Sequence, residues 1–295
     1  MAGREMGSGM VSTWLNTPFK VRFRVIDGLT VRFAQSEDRE DHALLLSPWP
    51  ESLLAFEPVW ARLAERAHLV AIDLPGFGLS QRSDALLSPR AMSEFVIRAA
   101  DAFGLEHPHV IGPCAGTATA LFAAARYPGR LRSLVVGGGA AAVPIQLCQR
   151  LKAWIEAPDL EELRGIDPQQ FIAAALDGIQ RHVLPDGIRE DYHASYQGSR
   201  LAESMRYPRS YPAELPVLRD LLPGIQAPVL IIAGAGDTWV PPVNAEFLHD
   251  RLPNSTLKLI DAGHFTWEDA ADEYAALATS WWEGGYATTG SARAR

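Results

Sequence analysis

Short apolar segments rich in β-branched residues and leucine alternate along the chain with longer segments whose apolar positions recur at helical spacing. The short segments predict buried strands, and their alternation with helices is typical of a mostly parallel, twisted sheet wrapped by helices. The first two predicted strands are joined by Asp27-Gly28, which indicates an antiparallel hairpin. The predicted strands are residues 19–26, 29–34, 43–46, 68–73, 110–111, 131–136, 228–233 and 256–260.

The alternation stops between residues 140 and 227, where the pattern is helical and is interrupted by Pro and Gly. A helical block between two strands of one sheet predicts a cap inserted over the carboxyl edge of the sheet, where open α/β sheets bind ligands. The predicted helices are residues 54–66, 89–103, 115–127, 146–157, 168–182, 187–198, 242–251 and 267–282. The predicted division is an α/β core at residues 18–139 and 228–283, a helical cap at 140–227, and disordered tails at 1–17 and 284–295.

The composition limits the classes of function. A chain of 295 residues is long enough to bury the core of one large domain with an insertion. The net charge of −8 argues against nucleic acid or an anionic membrane as the main partner. No apolar segment is long enough to span a bilayer, and the N-terminal segment lacks the apolar core of a secretory signal. Because Cys114 and Cys148 do not make a disulfide framework, we expect a cytoplasmic protein. The oligomeric state stays open, a homodimer included.

A sharp turn is predicted at Gly112-Pro113-Cys114-Ala115-Gly116, between an apolar strand and an Ala-rich helix. This is the Gly-x-Ser-x-Gly pattern of a nucleophile elbow with sulfur in place of oxygen. The two glycines remove Cβ atoms that would clash in a strained turn. The backbone N–H of Ala115, at the start of the helix, favours negative charge on a thiolate or a developing oxyanion. Taken alone, the match is equally consistent with a small buried hydrophobic cysteine.

Two further polar residues follow predicted strands near the end of the chain. Asp237 comes after the strand at 228–233, and His264 comes after the strand at 256–260. The chain order Cys114, Asp237, His264 is the order nucleophile, acid, histidine of a triad on such a sheet. In isolation, a capping aspartate and a structural histidine would explain these two residues as well.

Four motifs together resemble the α/β-hydrolase superfamily over nearly all of residues 19–283: residues 73–80 (DLPGFGLS), the elbow, Gly236-Asp237 and Gly263-His264-Phe265. The predicted cap is similar to those of the epoxide-hydrolase and haloalkane-dehalogenase branches. The resemblance implies that Cys114 is the nucleophile and that His264 is its general base or the imidazolium partner of a thiolate. It implies that Asp237 fixes the tautomer of the histidine and stabilises its charged form.

The oxyanion hole departs from the family pattern. The family usually carries His-Gly-x-Pro after its third strand, whereas this chain carries Ser47-Pro48-Trp49-Pro50. The backbone N–H of Trp49 is expected to be the second donor beside that of Ala115. Pro48 has no N–H, but the hole needs its donor one residue later.

Aromatic and apolar residues beside the motifs and in the cap predict an apolar substrate pocket. For the four tyrosines, packing at the cap interface is an equal alternative. The predicted pocket residues are Trp49, Pro113, Trp154, Tyr192, Tyr196, Tyr207, Tyr211, Trp239 and Phe265. We expect no metal or cofactor, because no cluster has metal-ligand spacing and the glycines at 137–139 lack the spacing of a dinucleotide site. The expected partner is a small apolar molecule.

Sulfur at the elbow restricts the chemistry. A thiolate that attacks a carbonyl gives a thioester, which water hydrolyses, whereas attack on an epoxide or alkyl halide gives a thioether that water does not cleave. The sequence therefore predicts a hydrolase acting on an ester, thioester or lactone, with acyl transfer to another acceptor left open. One alternative is an epoxide-hydrolase-like protein whose nucleophile position has become cysteine. Another is a non-catalytic binding protein on the same fold, which the altered segment at Ser47-Pro48 would suit.

Overall fold

An eight-stranded sheet forms the centre of the computed structural model, which describes residues 19–286. The strand order is β1-β2-β4-β3-β5-β6-β7-β8. The hairpin of β1 and β2 is antiparallel, β2 pairs antiparallel with β4, and all the other pairs are parallel. The strands are β1 (Val21–Ile26), β2 (Leu29–Gln35), β3 (His42–Leu46), β4 (His68–Ile72), β5 (His109–Pro113), β6 (Ser133–Gly137), β7 (Val229–Gly234) and β8 (Ser255–Ile260).

The predicted α/β-hydrolase fold is confirmed by this topology. Every residue of β5, β6 and β7 is buried, which is why these strands read as continuous apolar runs rather than as alternating patterns. Helices cover the sheet between its strands: α1 (Glu57–Ala64), α2 (Pro89–Ala102), α3 (Ala115–Arg126), α11 (Val243–Arg251), α12 (Thr266–Asp269) and α13 (Ala271–Ser280). The sequence determines where α2 begins, because the Ser88 side chain caps the helix and Pro89 occupies its first turn.

The segment between β6 and β7 is entirely helical or irregular, and we call it the helical insertion. Its helices are α4 (Gln149–Glu156), α5 (Glu161–Arg164), α6 (Pro168–Leu176), α7 (Asp186–Ser195), α8 (Arg200–Ser204), α9 (Arg206–Arg209) and α10 (Tyr211–Leu221). The helix predicted to end at residue 182 ends at Leu176, because the chain turns at Gly178 against the ring of Phe265. No helix bounds were predicted after residue 198; for α10 the reason is Pro216, since a proline inside a segment normally indicates a break.

The last helical turn, Trp281–Gly285, extends past the predicted start of the C-terminal tail. The remainder of that tail, and the predicted tail at residues 1–17, lie outside the described residues. Between residues 19 and 286, no helix has both the length and the hydropathy that a membrane span requires.

A buried ion cluster ties the helical insertion to the sheet. The Arg32 guanidinium on β2 forms hydrogen bonds with Asp191 on α7, one of them 3.1 Å long, and lies 3.4 Å from Asp73 after β4. Ser52 donates a further hydrogen bond of 2.6 Å to Asp191. Burial raises the pKa of Asp73 to about 6, although Arg32 opposes this increase. One cation therefore compensates two buried carboxylates.

We expect Arg32→Met to lower the free energy of unfolding by about 3 kcal/mol, because it leaves Asp73 and Asp191 buried without a cation. Urea unfolding at neutral pH measures this loss. The deficit should grow as the pH rises above about 4, because an acid whose pKa is raised in the folded state loses stability with increasing pH. Arg66→Met, which removes an exposed pair with Glu283, is the matched control and should cost under about 1 kcal/mol. Equal losses of unfolding free energy in the two variants would contradict the role of Arg32 as the cation that compensates Asp73 and Asp191.

Candidate active site

Cys114 lies in a strained turn between β5 and α3. Its φ of 50° and ψ of −119° place a non-glycine residue in a sparsely populated region of backbone space. The turn is held by a hydrogen bond of 2.9 Å from the Cys114 N–H to the Gly137 carbonyl. The Thr117 hydroxyl lies 3.0 Å from the Gly112 carbonyl and accepts a hydrogen bond of 3.1 Å from the Gly137 N–H, so it bridges β5 and β6.

The two glycines of the elbow differ in how strictly they are required. A Cβ atom on Gly112 would lie 2.7 Å from the Gly116 carbonyl oxygen, which is closer than real Cβ atoms approach. A Cβ atom on Gly116 would lie 3.3 Å from the Cβ atom of Leu46, which is tight but can be relieved by a small shift. The close approach of α3 to β5 therefore depends mainly on Gly112.

His264 is fixed by Asp237. The Nδ1 atom of the ring lies 2.8 Å from Asp237 Oδ2, while Asp237 Oδ1 accepts hydrogen bonds from the N–H groups of Trp239 and Val240 at 2.8 and 2.9 Å. Because a carboxylate only accepts, Nδ1 is the protonated nitrogen facing Asp237. The indole of Trp239 stacks on the imidazole with ring centroids 5.9 Å apart. The ring is thereby held in one orientation.

The Cys114 thiol meets the same imidazole. The thiol acts on the imidazole and raises its pKa, and the thiol sulfur donates a hydrogen bond of 3.2 Å to the Trp49 carbonyl oxygen. A thiol has one proton, so it donates to only one of these acceptors at a time. Burial on its own would lower the pKa of His264, but the charge and hydrogen bond of Asp237, together with Cys114, raise that pKa to about 10. The arrangement favours an imidazolium next to sulfur.

Two backbone donors lie beside the thiol. The N–H groups of Ala115 and Trp49 have no hydrogen-bond partner among residues 19–286. Both residues line the cavity that contains Cys114. The loop of Trp49 is anchored to α8, because its indole N–H donates a hydrogen bond of 2.8 Å to the Ser204 hydroxyl. The two N–H groups are thus free to bind an oxygen of a ligand.

The cavity at Cys114 is apolar and narrow: the centre of a water-sized molecule can occupy about 40 Å³ of it. Among the predicted pocket residues, Trp49, Tyr207 and Tyr211 line it. The wall also contains apolar side chains that the sequence analysis did not single out: Phe77, Leu147, Leu151, Ile155 and Val240. Their hydrophobicity and spacing are the same as those of core residues, so the sequence offers no signal that separates the two roles.

The other predicted pocket residues do not line this cavity. Trp239 and Phe265 pack around His264, and Pro113 is buried at the end of β5. Trp154 packs against Phe171. The two remaining tyrosines are fully buried: Tyr192 donates a hydrogen bond to Glu268, and Tyr196 donates one to the Glu51 carbonyl.

The two tyrosines that line the cavity differ in their hydroxyl contacts. The Tyr207 hydroxyl lies 2.7 Å from the Ala115 carbonyl and 2.6 Å from the Thr119 hydroxyl, and so ties the helical insertion to α3. The Tyr211 hydroxyl has no hydrogen-bond partner in the described part of the chain. Over the same part of the chain, no group of three or more His, Cys, Asp or Glu side chains is arranged to hold a metal ion.

Known proteins show the same fold and related sequences. A sequence profile of the α/β-hydrolase fold family matches residues 44–171. A pimeloyl-[acyl-carrier protein] methyl ester esterase from Neisseria meningitidis is 30% identical over 257 residues, which cover 81% of this chain and 76% of the relative. The human serine hydrolase BPHL is 28% identical over 86% of this chain and 83% of its own length. The structure of a putative acyltransferase from Salmonella enterica superposes with a TM-score of 0.81 at 19% identity, covering 95% of this chain and 99% of that structure.

The chain therefore belongs to the α/β-hydrolase family of enzymes, and its assignment as a hydrolase of that family is confirmed.

We expect Gly112→Ala to lower the free energy of unfolding by about 2 kcal/mol, because its Cβ atom would collide with the Gly116 carbonyl. Gly116→Ala is the matched comparison and should cost under about 1 kcal/mol, since its contact is with a side chain and alanine favours the helix. Urea unfolding followed by circular dichroism measures both variants. Equal losses would show that the elbow does not depend on the close approach at Gly112.

Proposed function

We propose that the protein hydrolyses an ester, thioester or lactone of an apolar small molecule through Cys114, His264 and Asp237. One observation carries the proposal: the imidazole that lies 2.8 Å from the Asp237 carboxylate is also the imidazole whose pKa the Cys114 thiol raises. The raised pKa of His264 suits a thiolate–imidazolium pair. The esterase named among the relatives supports the class of bond that is cleaved.

The proposed reaction has two stages, acylation of Cys114 and deacylation by water. In acylation, the Cys114 sulfur forms a bond to the carbonyl carbon, and the N–H groups of Ala115 and Trp49 stabilise the resulting oxyanion. The leaving group departs with a proton from His264. In deacylation, His264 takes a proton from a water molecule that attacks the thioester, and the Cys114 thiolate is released together with the acid. Asp237 holds the imidazole in place throughout and needs no proton of its own.

The cavity wall defines the acyl group that the site accepts. None of the residues that line the cavity is charged, so an acyl portion carrying a carboxylate or an ammonium would lose its hydration without compensation. Leu151 and Ile155 on α4, together with Tyr207 and Tyr211, bring the helical insertion into contact with this cavity. We therefore propose that the insertion is a cap that shields the acyl-enzyme from bulk solvent.

We expect a short apolar p-nitrophenyl ester to leave a transient acyl adduct on Cys114, which mass spectrometry of quenched reactions detects. Cys114→Ala and His264→Ala should each reduce kcat/KM by at least about 1,000-fold, because the two residues act as a unit. Cys148→Ala is the matched cysteine control and should retain parental activity.

Each alternative has its own outcome in this experiment. Unchanged hydrolysis in Cys114→Ala would overturn the proposal. A permanent adduct from an epoxide without turnover of esters would favour the epoxide-hydrolase-like alternative. Ligand binding that survives Cys114→Ala and His264→Ala, with no reaction in the parent, would favour the non-catalytic binding protein.

We expect Tyr211→Phe to lower kcat/KM for the ester by about fivefold to tenfold with an unchanged melting temperature, because its hydroxyl lines the cavity without a partner in the protein. Tyr207→Phe is the matched comparison. It should lower the melting temperature, because Thr119 and the Ala115 carbonyl lose their partner. Parental kcat/KM in Tyr211→Phe would show that this hydroxyl does not contact the substrate.

A further inference from the structure

Two buried glutamates face each other beside the candidate site. Glu51 lies in the loop that also carries Trp49, and Glu268 lies in α12, directly after the segment that carries His264. Their exposed fractions are 0% and 3%. The proposed reaction uses neither of them, yet they join the two segments that it depends on.

In each carboxyl group, one oxygen accepts a hydrogen bond from a neighbouring residue and the other oxygen accepts none. Glu268 Oε1 accepts a hydrogen bond of 3.1 Å from the Tyr192 hydroxyl, and Glu51 Oε1 accepts one of 3.4 Å from the Trp267 indole. The Oε2 atoms of both groups are buried and receive no hydrogen bond from another residue. Because the indole that binds Glu51 belongs to Trp267, the residue before Glu268, the two carboxyl groups are close enough for each to shift the pKa of the other.

Two carboxyl groups at this distance favour keeping a proton between them, because two carboxylates repel each other strongly in a buried site. Burial, and then the charge and hydrogen bond of Glu268, raise the pKa of Glu51 well above its ordinary value. Burial also raises the pKa of Glu268, to about 7, although hydrogen bonds from Glu51 and Tyr192 oppose this. The pair therefore retains one proton at neutral pH.

The nearest cation, the His264 imidazole, lies against Trp267 and is already bound to Asp237. Asp269 on α12, Tyr192 on α7 and Cys114 at the elbow also act on the pair, and all three become negative when they ionise. A proton shared by the two carboxyl groups is the means by which this cluster avoids a second buried negative charge.

We propose that the Glu51–Glu268 carboxyl pair is a positioning device in which one shared proton fastens the loop of Trp49 to the segment of His264. Loss of that proton sets two negative charges face to face and pushes the two segments apart. It also places a charge where it opposes a thiolate at Cys114. The part of this inference that concerns turnover rests on the proposed function, whereas the part that concerns the pair and the reactivity of the thiol does not.

The pair also makes stability depend on pH. Both carboxyl groups have a higher pKa in the folded protein than in the unfolded chain, so the folded state keeps protons that the unfolded state releases. Their contribution to stability is complete below the unfolded value of about 4.5 and is lost as the pH rises through about 7 and above. The parent should therefore be less stable at pH 8 than at pH 5 on account of this pair.

The test uses Glu51→Gln and Glu268→Gln, which keep the shape of the pair but remove one of its two charges. Glu273→Gln is the matched control, because Glu273 is exposed on the neighbouring α13. Two readouts are followed from pH 5 to pH 9: the melting temperature, and the rate at which iodoacetamide alkylates Cys114, resolved from Cys148 by peptide mass spectrometry. Neither readout requires turnover of an ester.

In the parent and in Glu273→Gln, we expect the melting temperature to fall on the order of 5 °C more between pH 5 and pH 8 than in the two pair variants. At pH 9, Cys114 should react at least about fivefold faster in the pair variants than in the parent. Infrared spectroscopy of the unsubstituted protein at neutral pH should show a protonated carboxyl group, which keeps the test decisive if a pair variant does not fold.

Three results would overturn the inference: no protonated carboxyl group in the parent, parental pH profiles in both pair variants, or a similar change of profile in Glu273→Gln. If the pair variants behave as expected while Cys114→Ala still hydrolyses esters, the carboxyl pair stands and the proposed function falls. The two proposals therefore fail in different experiments.

Discussion

The candidate site depends on the left-handed backbone of Cys114. A residue with a side chain is strained at a φ of 50°, and it is kept there because the surrounding structure leaves no alternative. The Gly112 backbone lets α3 approach β5, and the Thr117 hydroxyl joins the ends of β5 and β6 directly beneath the turn. The thiol consequently stands clear of the sheet at the start of a helix, where its N-terminal N–H groups favour negative charge.

Polar contacts, rather than apolar packing alone, fix the helical insertion over this turn. Arg32 on β2 binds Asp191 on α7, the Trp49 indole binds Ser204 on α8, and the Tyr207 hydroxyl binds the Ala115 carbonyl at the start of α3. Apolar side chains can shift against each other with little loss of stabilisation. Buried polar groups lose most of theirs, because a displaced hydrogen bond leaves its donor and acceptor without partners. Together these three contacts tie α7, α8 and α9 of the helical insertion to the α/β core.

The sequence predicted the parts of the molecule that follow from local chemistry. Buried strands are recognisable in the sequence as apolar runs. Cys114, Asp237 and His264 each follow such a strand, so the topology brings them to one edge of the sheet. Helix α10 could not be predicted in the same way, because it contains Pro216 and a proline usually indicates a break. Predicted Tyr192 and Tyr196 lie away from the cavity because burial and bonding partners decide that placement, and neither can be derived from residue type.

The carboxyl pair was beyond sequence reasoning for a different reason. Glu51 and Glu268 are ordinary in composition and lie far apart along the chain. Only the fold shows that the segment after β3 and the segment after β8 meet. A glutamate in a loop and a glutamate in the first turn of a helix both have a familiar interpretation as solvated groups, and nothing in either local pattern indicates burial.

The charges around the thiol support the proposal of a neutral, apolar substrate. Asp237 and the carboxyl pair contribute buried negative charge, His264 contributes the balancing positive charge, and the cavity wall has no charged side chain. An anionic acyl group would meet no cation there except the imidazolium, which the sulfur and Asp237 already share. The Trp49 carbonyl, 3.2 Å from the sulfur, adds another negative dipole beside the reacting atom. A neutral carbonyl carbon avoids these conflicts until its oxygen becomes charged, and at that stage the N–H groups of Ala115 and Trp49 are free to bind it.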